Sequence, residues 1–347
     1  MDSDLGQSRK IADSKKEKDF SPEDLFILEQ SNLIEINSKT IKSSISKPPQ
    51  IWTVASGKGG VGKTFISSSL AISLGKLGKK VTVLDLDYSG ANVHTALGMD
   101  PQTLGLRQFL QGQKPLSECV TKTNISNVSF IQGLWDSWSS TDLTEEQSDS
   151  ILKAVKTIKA DYVIIDLGAG TLKSHLKAFT FADEKFLVTF PEPTSLEKNY
   201  RFLEAYLCEY LRTCCNPYDY AELIQSLRTR RIENTGEIFS FRAFVESHSN
   251  IQLDFFSLFR QKPIRIVING SRSQQNHQLS YSLKSVCRKY FDLIVDTSIV
   301  LDFDNAVWQS IRSREPALIA HPMSGLSGQF LSACKQVIDL KDLQKVI

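Results

Sequence analysis

The stretch that decides the fold is IWTVASGKGGVGKTFISSSLAISLGKLGKKVTVLDLD, residues 51–87. It begins with a short apolar run at 51–56, passes through a glycine-rich loop, and then repeats apolar side chains at helical spacing up to residue 77. Gly78 ends the predicted helix, and the apolar run at 80–87 follows as a buried strand. Strand, loop, helix and strand in this order predict a βαβ unit, which opens a parallel sheet.

The same alternation of apolar runs and helical patterns continues along the chain. Further strands are predicted at 128–133, 162–166, 185–190, 263–270 and 292–299, and further helices at 106–118, 145–159, 172–182 and 277–291. The alternation stops between 205 and 262, where many aromatic side chains indicate a largely helical insertion packed on the core. We therefore predict a three-layer α/β fold with a mainly parallel sheet.

The N-terminal part of the chain has a different composition. Residues 1–49 mix acidic and basic side chains with many serines, which is typical of a flexible or partner-binding tail. Residues 50–347 are then one domain, with the helical insertion at about 205–262. Within the tail, SPEDLFILEQ at 21–30 predicts a short amphipathic helix. That helix either docks on its own domain or binds a partner.

Composition narrows the function classes. Of the 347 residues, 41% are hydrophobic, which is enough for a core and excludes wholesale disorder. The formal net charge of +2 argues against a dedicated nucleic-acid binder. Neither a membrane-spanning apolar run nor a secretory signal is visible, so we expect a cytoplasmic protein. Six cysteines without CxxC spacing and five histidines without HxxxH spacing predict free thiols and no His/Cys metal site.

The strongest motif is GKGGVGKT at 57–64, which matches GxxxxGK[ST] between a predicted strand and a predicted helix. Backbone N–H groups of such a loop wrap phosphates, and the following helix adds its positive end. Lys63 would reach the β- and γ-phosphates, and the Thr64 hydroxyl would ligate Mg²⁺. The predicted nucleotide-binding residues here are Gly57, Lys58, Gly59, Gly60, Val61, Gly62, Lys63, Thr64 and Phe65.

Carboxylates occur near the carboxyl ends of two strands of the predicted sheet. Asp85 and Asp87 are two residues apart on one strand and therefore point to the same face. VIIDLGAG at 163–170 ends a second strand with Asp166, followed by Gly168. Ligands of open α/β sheets bind outside the carboxyl ends of the strands. We expect these residues to lie beside the glycine-rich loop.

The additional lysine of the loop, Lys58, gives KGGVGKT, and the chain here resembles the deviant Walker A ATPases of the MinD/ParA family. TFPEPTS at 189–195 resembles the corresponding loop of the FlhG flagellar-number regulators within that family. The resemblance covers about 51–204 and 263–335. It implies a three-layer P-loop NTPase fold, ATP and Mg²⁺ as cofactors, ATP hydrolysis, and an ATP-dependent homodimer.

The resemblance also implies roles for single residues. Lys58 would reach across the dimer to the partner's phosphates, Asp87 would position the attacking water, and the Gly168 N–H would approach the γ-phosphate. Asp85 and Asp166 would hold Mg²⁺ or its waters together with Thr64. The implied catalytic residues are Lys58, Lys63 and Asp87.

On the adenosine side, the resemblance places Pro191 and Glu192 beside the nucleoside. Asn269, at the end of the predicted strand 263–270, matches the family asparagine that bonds the adenine. Gly270 stands where the family often has an arginine, so one stacking or ribose contact is missing from the pattern.

Three functions remain open at this point. The resemblance to FlhG implies a switch that regulates flagella or other polar or cell-division structures, through a protein activator or polar landmark. A ParA-like partition or cargo-positioning ATPase is the second alternative, and an ATP-binding scaffold with little hydrolysis is the third. Nucleic acid is the less favoured partner, because RTRR at 228–231 has acidic neighbours and is typical of a solvated basic turn.

The C-terminal stretch 326–347 repeats apolar side chains at helical spacing. One alternative is a helix packed on the core or bound to a partner. The other is a weak, ATP-dependent contact with the membrane surface, which would place the protein peripherally at the inner face of the membrane or at the cell pole. The balance of lysine and aspartate in this stretch favours the first alternative.

Overall fold

The apolar runs recognised in the sequence form the strands of one sheet. The computed structural model describes residues 47–88, 90–134, 143–233, 241–247, 263–272 and 275–344. The strands in these residues are β1 (Gln50–Ser56), β2 (Val81–Leu86), β3 (Thr121–Lys122), β4 (Val128–Ile131), β5 (Tyr162–Ala169), β6 (Glu184–Thr189), β7 (Ile264–Ser271) and β8 (Val295–Asp302). β2 and β6 are buried along their whole length, and β1 and β5 are buried except for one terminal residue each, as expected of a sheet covered on both faces.

The helices lie between the strands. They are α1 (Lys63–Lys76), α2 (Val93–Ala96), α3 (Leu106–Leu110), α4 (Glu145–Val155), α5 (Lys173–Phe181), α6 (Pro193–Cys214), α7 (Pro217–Glu233), α8 (Phe241–Ser247), α9 (Gln275–Phe291), α10 (Asn305–Ser313), α11 (Ala317–Ala320) and α12 (Gly325–Gln344). Part of the predicted insertion at 205–262 is described, and it is helical as expected: α6 ends there, and α7 and α8 follow.

The order of the strands in the sheet is β3-β4-β2-β5-β1-β6-β7-β8. β1 therefore lies in the middle, paired in parallel with β5 on one side and β6 on the other. Among the described strands, the pair β3–β4 is antiparallel and the remaining neighbours are parallel. The glycine-rich loop that follows β1 is thus placed at the centre of the carboxyl edge of the sheet.

Two apolar cores cover the two faces of the sheet. One contains side chains from α4 to α9, including Phe202 of α6 and Phe241 of α8. The other contains side chains from α1, α11 and α12, including Ile66 and Phe330. These layers confirm the predicted three-layer α/β fold. Pro48–Ile347 form one compact unit, and the tail segment 21–30 lies outside the described residues.

One predicted helix was wrong in its extent. The stretch 106–118 forms α3, which ends at Leu110, and a separate 3₁₀ turn at Leu116–Glu118. Gly112 has φ of 70°, a left-handed conformation that stops an α-helix, and Pro115 precedes the 3₁₀ turn. The last strand is also shifted from its predicted position at 292–299 and runs from Val295 to Asp302. The helices α10 and α11 were not predicted.

The C-terminal stretch forms α12, and its apolar face packs on the domain. Phe330, Cys334 and Val337 are at most 2% exposed. The Phe330 ring lies edge-on to Phe65 at 5.6 Å, and the Cys334 Sγ donates to the carbonyl of Leu70 in α1. The structure thus favours the core-packing alternative, because Phe330 and Cys334 contact residues of α1. The membrane-surface contact stays a prediction. Within the described residues, none of the helices is long and apolar enough to cross a bilayer.

Candidate functional site

The loop between β1 and α1 is held from one side by α6. The Gly57 N–H donates to Asn199 Oδ1 at 2.7 Å, and Asn199 Nδ2 donates to the Val188 carbonyl at 3.0 Å. A Cβ on Gly57 would stand 2.1 Å from the carbonyl oxygen of Lys198, so only glycine fits there. Asn199 was missed by the sequence reasoning, since it lies 142 residues from Gly57 and belongs to no motif.

From the other side, the loop is held by β7. Asn269 Nδ2 donates to the Val61 carbonyl at 3.0 Å. Its amide therefore braces the glycine-rich loop in this structure, and the predicted bond of Asn269 to adenine stays a prediction. Asn199 of α6 and Asn269 of β7 thus bond the loop at Gly57 and Val61, near its two ends.

The first turn of α1 carries the predicted phosphate and metal residues. Lys63 is buried, with 7% of its surface exposed. Thr64 Oγ1 donates to Asp166 Oδ2, and Ser67 Oγ donates to Asp166 Oδ1, both at 2.7 Å. Ser67 was not predicted as a site residue, although it is three residues after Thr64 and so lies on the same face of the helix.

Asp166 lies within β5, which continues to Ala169 beyond the predicted strand end, and the residue is 1% exposed. Burial raises the pKa of its carboxyl to about 6, against the opposing effects of the Ser67 and Thr64 hydroxyls and of the Lys63 ammonium. A carboxylate in this position is costly until a cation or a donor compensates it. Thr64 and Asp166 together offer hard oxygen ligands, the type that Mg²⁺ prefers, so the residues fit the predicted metal.

Asp85 stands opposite Asp166 in the neighbouring strand β2. It is fully buried, and its oxygens accept the N–H groups of Asp87 at 3.0 Å and Val93 at 3.1 Å. Burial and the nearby Asp166 carboxyl raise the pKa of Asp85 well above its usual range. These contacts show that Asp85 holds the chain between β2 and α2. Its predicted role toward Mg²⁺ stays a prediction, and no cluster of three or more His, Cys, Asp or Glu side chains placed to hold a metal ion occurs in the described ranges.

A cavity of about 460 Å³ opens beside the first turn of α1. Its wall brings together residues from the loop, from α1, from the chain after β2, and from α10 and α11. The predicted residues in its wall are Gly60, Gly62, Lys63, Thr64, Phe65 and Asp87. A cavity of this volume is in the range of small-molecule sites.

The predicted adenosine residues line a different cavity. Pro191 and Glu192 belong to a space of about 410 Å³ that is also lined by Phe190, Arg272 and Phe303. The structure therefore divides predicted nucleotide-binding residues between two separate cavities, a division that the sequence did not indicate.

Lys58 contacts the start of α6 in its own chain. Its Nζ donates to Glu192 Oε2 at 3.1 Å and to Thr194 Oγ1 at 3.2 Å. Both charged side chains are partly exposed, with 31% for Lys58 and 54% for Glu192. Exposed ion pairs of this kind contribute about 0.2–1 kcal/mol, so Lys58 is held only weakly.

Comparison with known proteins identifies relatives of this chain. Residues 48–215 match the ParA family model, described as NUBPL iron-transfer P-loop NTPase. MinD of Escherichia coli K12 is 30% identical over 155 residues, covering 44% of this chain and 57% of that protein. The antiactivator FleN of Pseudomonas aeruginosa is 32% identical over 159 residues, covering 45% and 56%. The chain thus spans about half the length of the curated relatives it matches.

Solved structures agree in fold. MinD complexed with Mg-ADP from Pyrococcus horikoshii OT3 has a TM-score of 0.56 at 20% identity, covering 85% of this chain and 98% of that chain. A MinC:MinD complex from Aquifex aeolicus has a TM-score of 0.53 at 17% identity, covering 84% and 96%. At these identities the likeness concerns the fold alone. Together with the sequence relatives, it confirms the predicted resemblance to MinD/ParA proteins and the closeness to FlhG-type members.

Proposed function

Because residues 48–215 belong to the ParA/MinD family of P-loop NTPases, we propose that the protein is an ATP-dependent dimerising switch. ATP with Mg²⁺ binds at the loop after β1, two copies associate, and slow hydrolysis returns them to single chains. The observation that carries this proposal is the buried Lys63 beside the Thr64–Asp166 hydrogen bond, at the wall of a cavity of about 460 Å³.

The binding step uses the backbone of the loop and the start of α1. The loop N–H groups and the positive end of α1 attract the phosphates, and Lys63 adds a positive charge where water is largely excluded. Thr64 and Asp166 are the residues that would hold Mg²⁺, which neutralises charge on the phosphate oxygens when bound. The fixed ends of the loop at Asn199 and Asn269 reduce the ordering that binding requires.

The hydrolytic step uses the chain that follows β2. Asp87 lines the cavity that also contains Lys63 and Thr64, and we assign it the orientation of the attacking water. Asp85 keeps this part of the chain in place through its bonds to the N–H groups of Asp87 and Val93. Asp85 therefore acts as a positioning residue for Asp87.

The dimerisation step uses Lys58. Its contacts with Glu192 and Thr194 lie within one chain and are partly exposed, so a stronger partner can replace them. Phosphate oxygens of a second copy are such a partner, because a charge-assisted bond in a site closed off from water is stronger than an exposed ion pair. Lys58 would then change partner when two chains associate.

The biological role that we propose is spatial regulation of flagella or of other polar or cell-division structures, which the match to FleN supports. The protein would act in the cytoplasm, through a protein activator or polar landmark that distinguishes the ATP-bound dimer from the single chain. We also propose a weak contact with the membrane surface. Because one face of α12 is buried, this contact would use other residues. A pull-down comparing Asp87→Ala with the wild type from native cytoplasm would identify partners of the ATP-bound state.

Nucleotide binding is tested by Lys63→Ala. The change removes a charge-assisted contact of about 2–4 kcal/mol from a buried position, so titration with MgATP should give an affinity at least about tenfold lower. Lys80→Ala, which removes an exposed lysine just before β2, is the matched control and should bind as the wild type does. Equal affinities for wild type and Lys63→Ala would place the nucleotide elsewhere.

Dimerisation is tested by sizing chromatography with and without ATP. Asp87→Ala should bind ATP, hydrolyse it slowly, and accumulate as a dimer. Lys58→Ala should bind ATP but remain a single chain, because it lacks the lysine that reaches the second copy. A Lys58→Ala protein that dimerises and hydrolyses ATP normally would reduce the proposal to a P-loop ATPase without a lysine acting across the dimer.

A further inference from the structure

A buried histidine, His175 in α5, lies beneath the chain that we assign to hydrolysis. Only 1% of its surface is exposed. Its Nε2 is 3.1 Å from the carbonyl oxygen of Leu86, the last residue of β2. Since a carbonyl oxygen can only accept, Nε2 must carry the proton and donate it. The histidine thus ties the first turn of α5 to the residue just before Asp87.

The same ring also contacts the chain that follows β5. A Cβ on Gly168 would stand 2.5 Å from His175 Cε1 and 3.1 Å from Asp87 Oδ1. The ring and the Asp87 carboxylate therefore approach Gly168 together, and only glycine leaves room for both. The His175 ring also stacks on the ring of Tyr88, with 5.4 Å between the ring centroids and an angle of 23° between the ring planes.

These contacts join two segments that are distant in sequence. The segment from Leu86 to Asn92 carries Asp87, and the segment from Gly168 to Leu172 leads into α5. His175 contacts the first through a hydrogen bond and the second through the packing of its ring. A displacement of either segment would move the ring and thereby the other, because closely packed groups have little free volume to absorb it.

We propose that His175 is a positioning residue that couples these two segments, so that Asp87 and Gly168 keep one relative placement. This inference rests on the proposed function, because Asp87 matters to chemistry only if the site hydrolyses ATP. The coupling itself is a property of the ligand-free chain. It needs a donor at the tip of the side chain and a flat group beside Gly168, and the imidazole of histidine supplies both.

The test compares His175→Gln with His175→Leu. Glutamine retains an N–H donor that can reach the Leu86 carbonyl, whereas leucine fills a similar space without a donor. The matched control is Phe179→Leu in the same helix, because Phe179 is fully buried and its ring contacts Phe202 and Tyr206 of α6. The measurements are hydrogen–deuterium exchange of the nucleotide-free chains, MgATP affinity by titration, and steady-state ATP hydrolysis.

We expect His175→Leu to exchange faster than wild type in both segments, 86–92 and 168–172, and His175→Gln to exchange more slowly than His175→Leu. Hydrolysis by His175→Leu should fall about tenfold in kcat with affinity changed by no more than about twofold, since the loss is in placement of Asp87. His175→Gln should recover most of that rate. Phe179→Leu should lower the melting temperature while leaving exchange in 86–92 and kcat near the wild-type values.

Unchanged exchange at 86–92 in His175→Leu, or equal behaviour of the leucine and glutamine variants, would overturn the coupling. A wild-type chain that neither binds nor hydrolyses ATP would instead overturn the proposed function. In that case the exchange measurements still decide the coupling, because they need no nucleotide.

Discussion

At the residue scale, the site is built around two carboxyl groups whose burial opposes their ionisation. Asp85 and Asp166 face each other in β2 and β5, and burial raises the pKa of both. Asp85 is compensated by two backbone N–H groups and Asp166 by two hydroxyls. Negative charge on this pair destabilises the folded chain, because burial removes the water that would otherwise solvate the carboxylates.

The destabilisation caused by burial of the Asp166 carboxylate can be measured as a pH dependence of the free energy of unfolding. Its pKa is raised from 3.8 to about 6, so between about pH 4 and pH 6 the folded chain binds more protons than the unfolded one. The free energy of unfolding of the nucleotide-free chain should therefore fall as the pH rises through this window, by up to about 3 kcal/mol from this residue. Asp166→Asn should flatten the decline, as measured by urea unfolding from about pH 4 to about pH 7. Parallel curves for the two proteins would contradict the assignment.

At the element scale, α12 decides whether the C-terminal stretch belongs to the domain or to a partner surface. Its spacing of apolar residues is compatible with either, because an amphipathic helix has one apolar face whatever covers it. In the structure that face lies on α1, the helix that begins with Lys63 and Thr64. The C-terminal helix thus supports α1, whose first turn carries the predicted phosphate-binding residues.

This packing predicts a large effect of Phe330→Ala. Phe330 is completely buried, and truncation of a buried phenylalanine costs about 3–5 kcal/mol through lost burial and the cavity that remains. Denaturant unfolding should report a loss of this size. Gln336→Ala, an exposed position on the same helix, should change stability by less than about 0.5 kcal/mol. A stable Phe330→Ala protein that has lost binding to anionic liposomes would contradict this packing and support the membrane alternative.

At the scale of the whole molecule, the carboxyl edge and the amino edge of the sheet carry different groups of charged residues. The carboxyl edge carries the loop after β1 and the acidic residues Asp85, Asp87 and Asp166. Near the amino ends of β6, β7 and β8, Arg265 bonds Glu184 and Asp296, each at 2.8 Å. Arg265 and Glu184 are both buried, so this ion pair joins three strands from within the sheet.

This separation predicts a variant with altered stability and unaltered binding. Arg265→Met removes the cation and leaves the Glu184 carboxyl buried without it, which should cost about 3–5 kcal/mol in the free energy of unfolding. Glu184→Gln in addition should recover part of that loss, because no buried charge then remains at that position. MgATP affinity, measured below the melting temperature, should stay within about twofold of wild type. A large loss of affinity would show that the two edges are coupled.

The sequence by itself determined the parts of this protein that depend on neighbouring residues. GKGGVGKT between an apolar run and a helical pattern predicted the β1–loop–α1 unit, and the acidic residues at strand ends predicted their meeting at one edge. Both predictions depend only on nearby residues. Because parallel strands have their carboxyl ends at the same edge of the sheet, a residue near the carboxyl end of its strand is expected at that edge. The split at Gly112 and Pro115 was readable in the same way, although the apolar spacing of 106–118 outweighed it.

Only the tertiary structure decided which residues meet across the chain. Asn199 and Asn269 hold the loop, Glu192 holds Lys58, and His175 reaches Leu86, each over many positions of sequence. The type of a residue determines which hydrogen bonds its side chain can form. Which partner comes within about 3 Å depends on the folded backbone. The same reason applies to α12, whose apolar face could be recognised from spacing, while its burial on α1 depends on where the sheet places both helices.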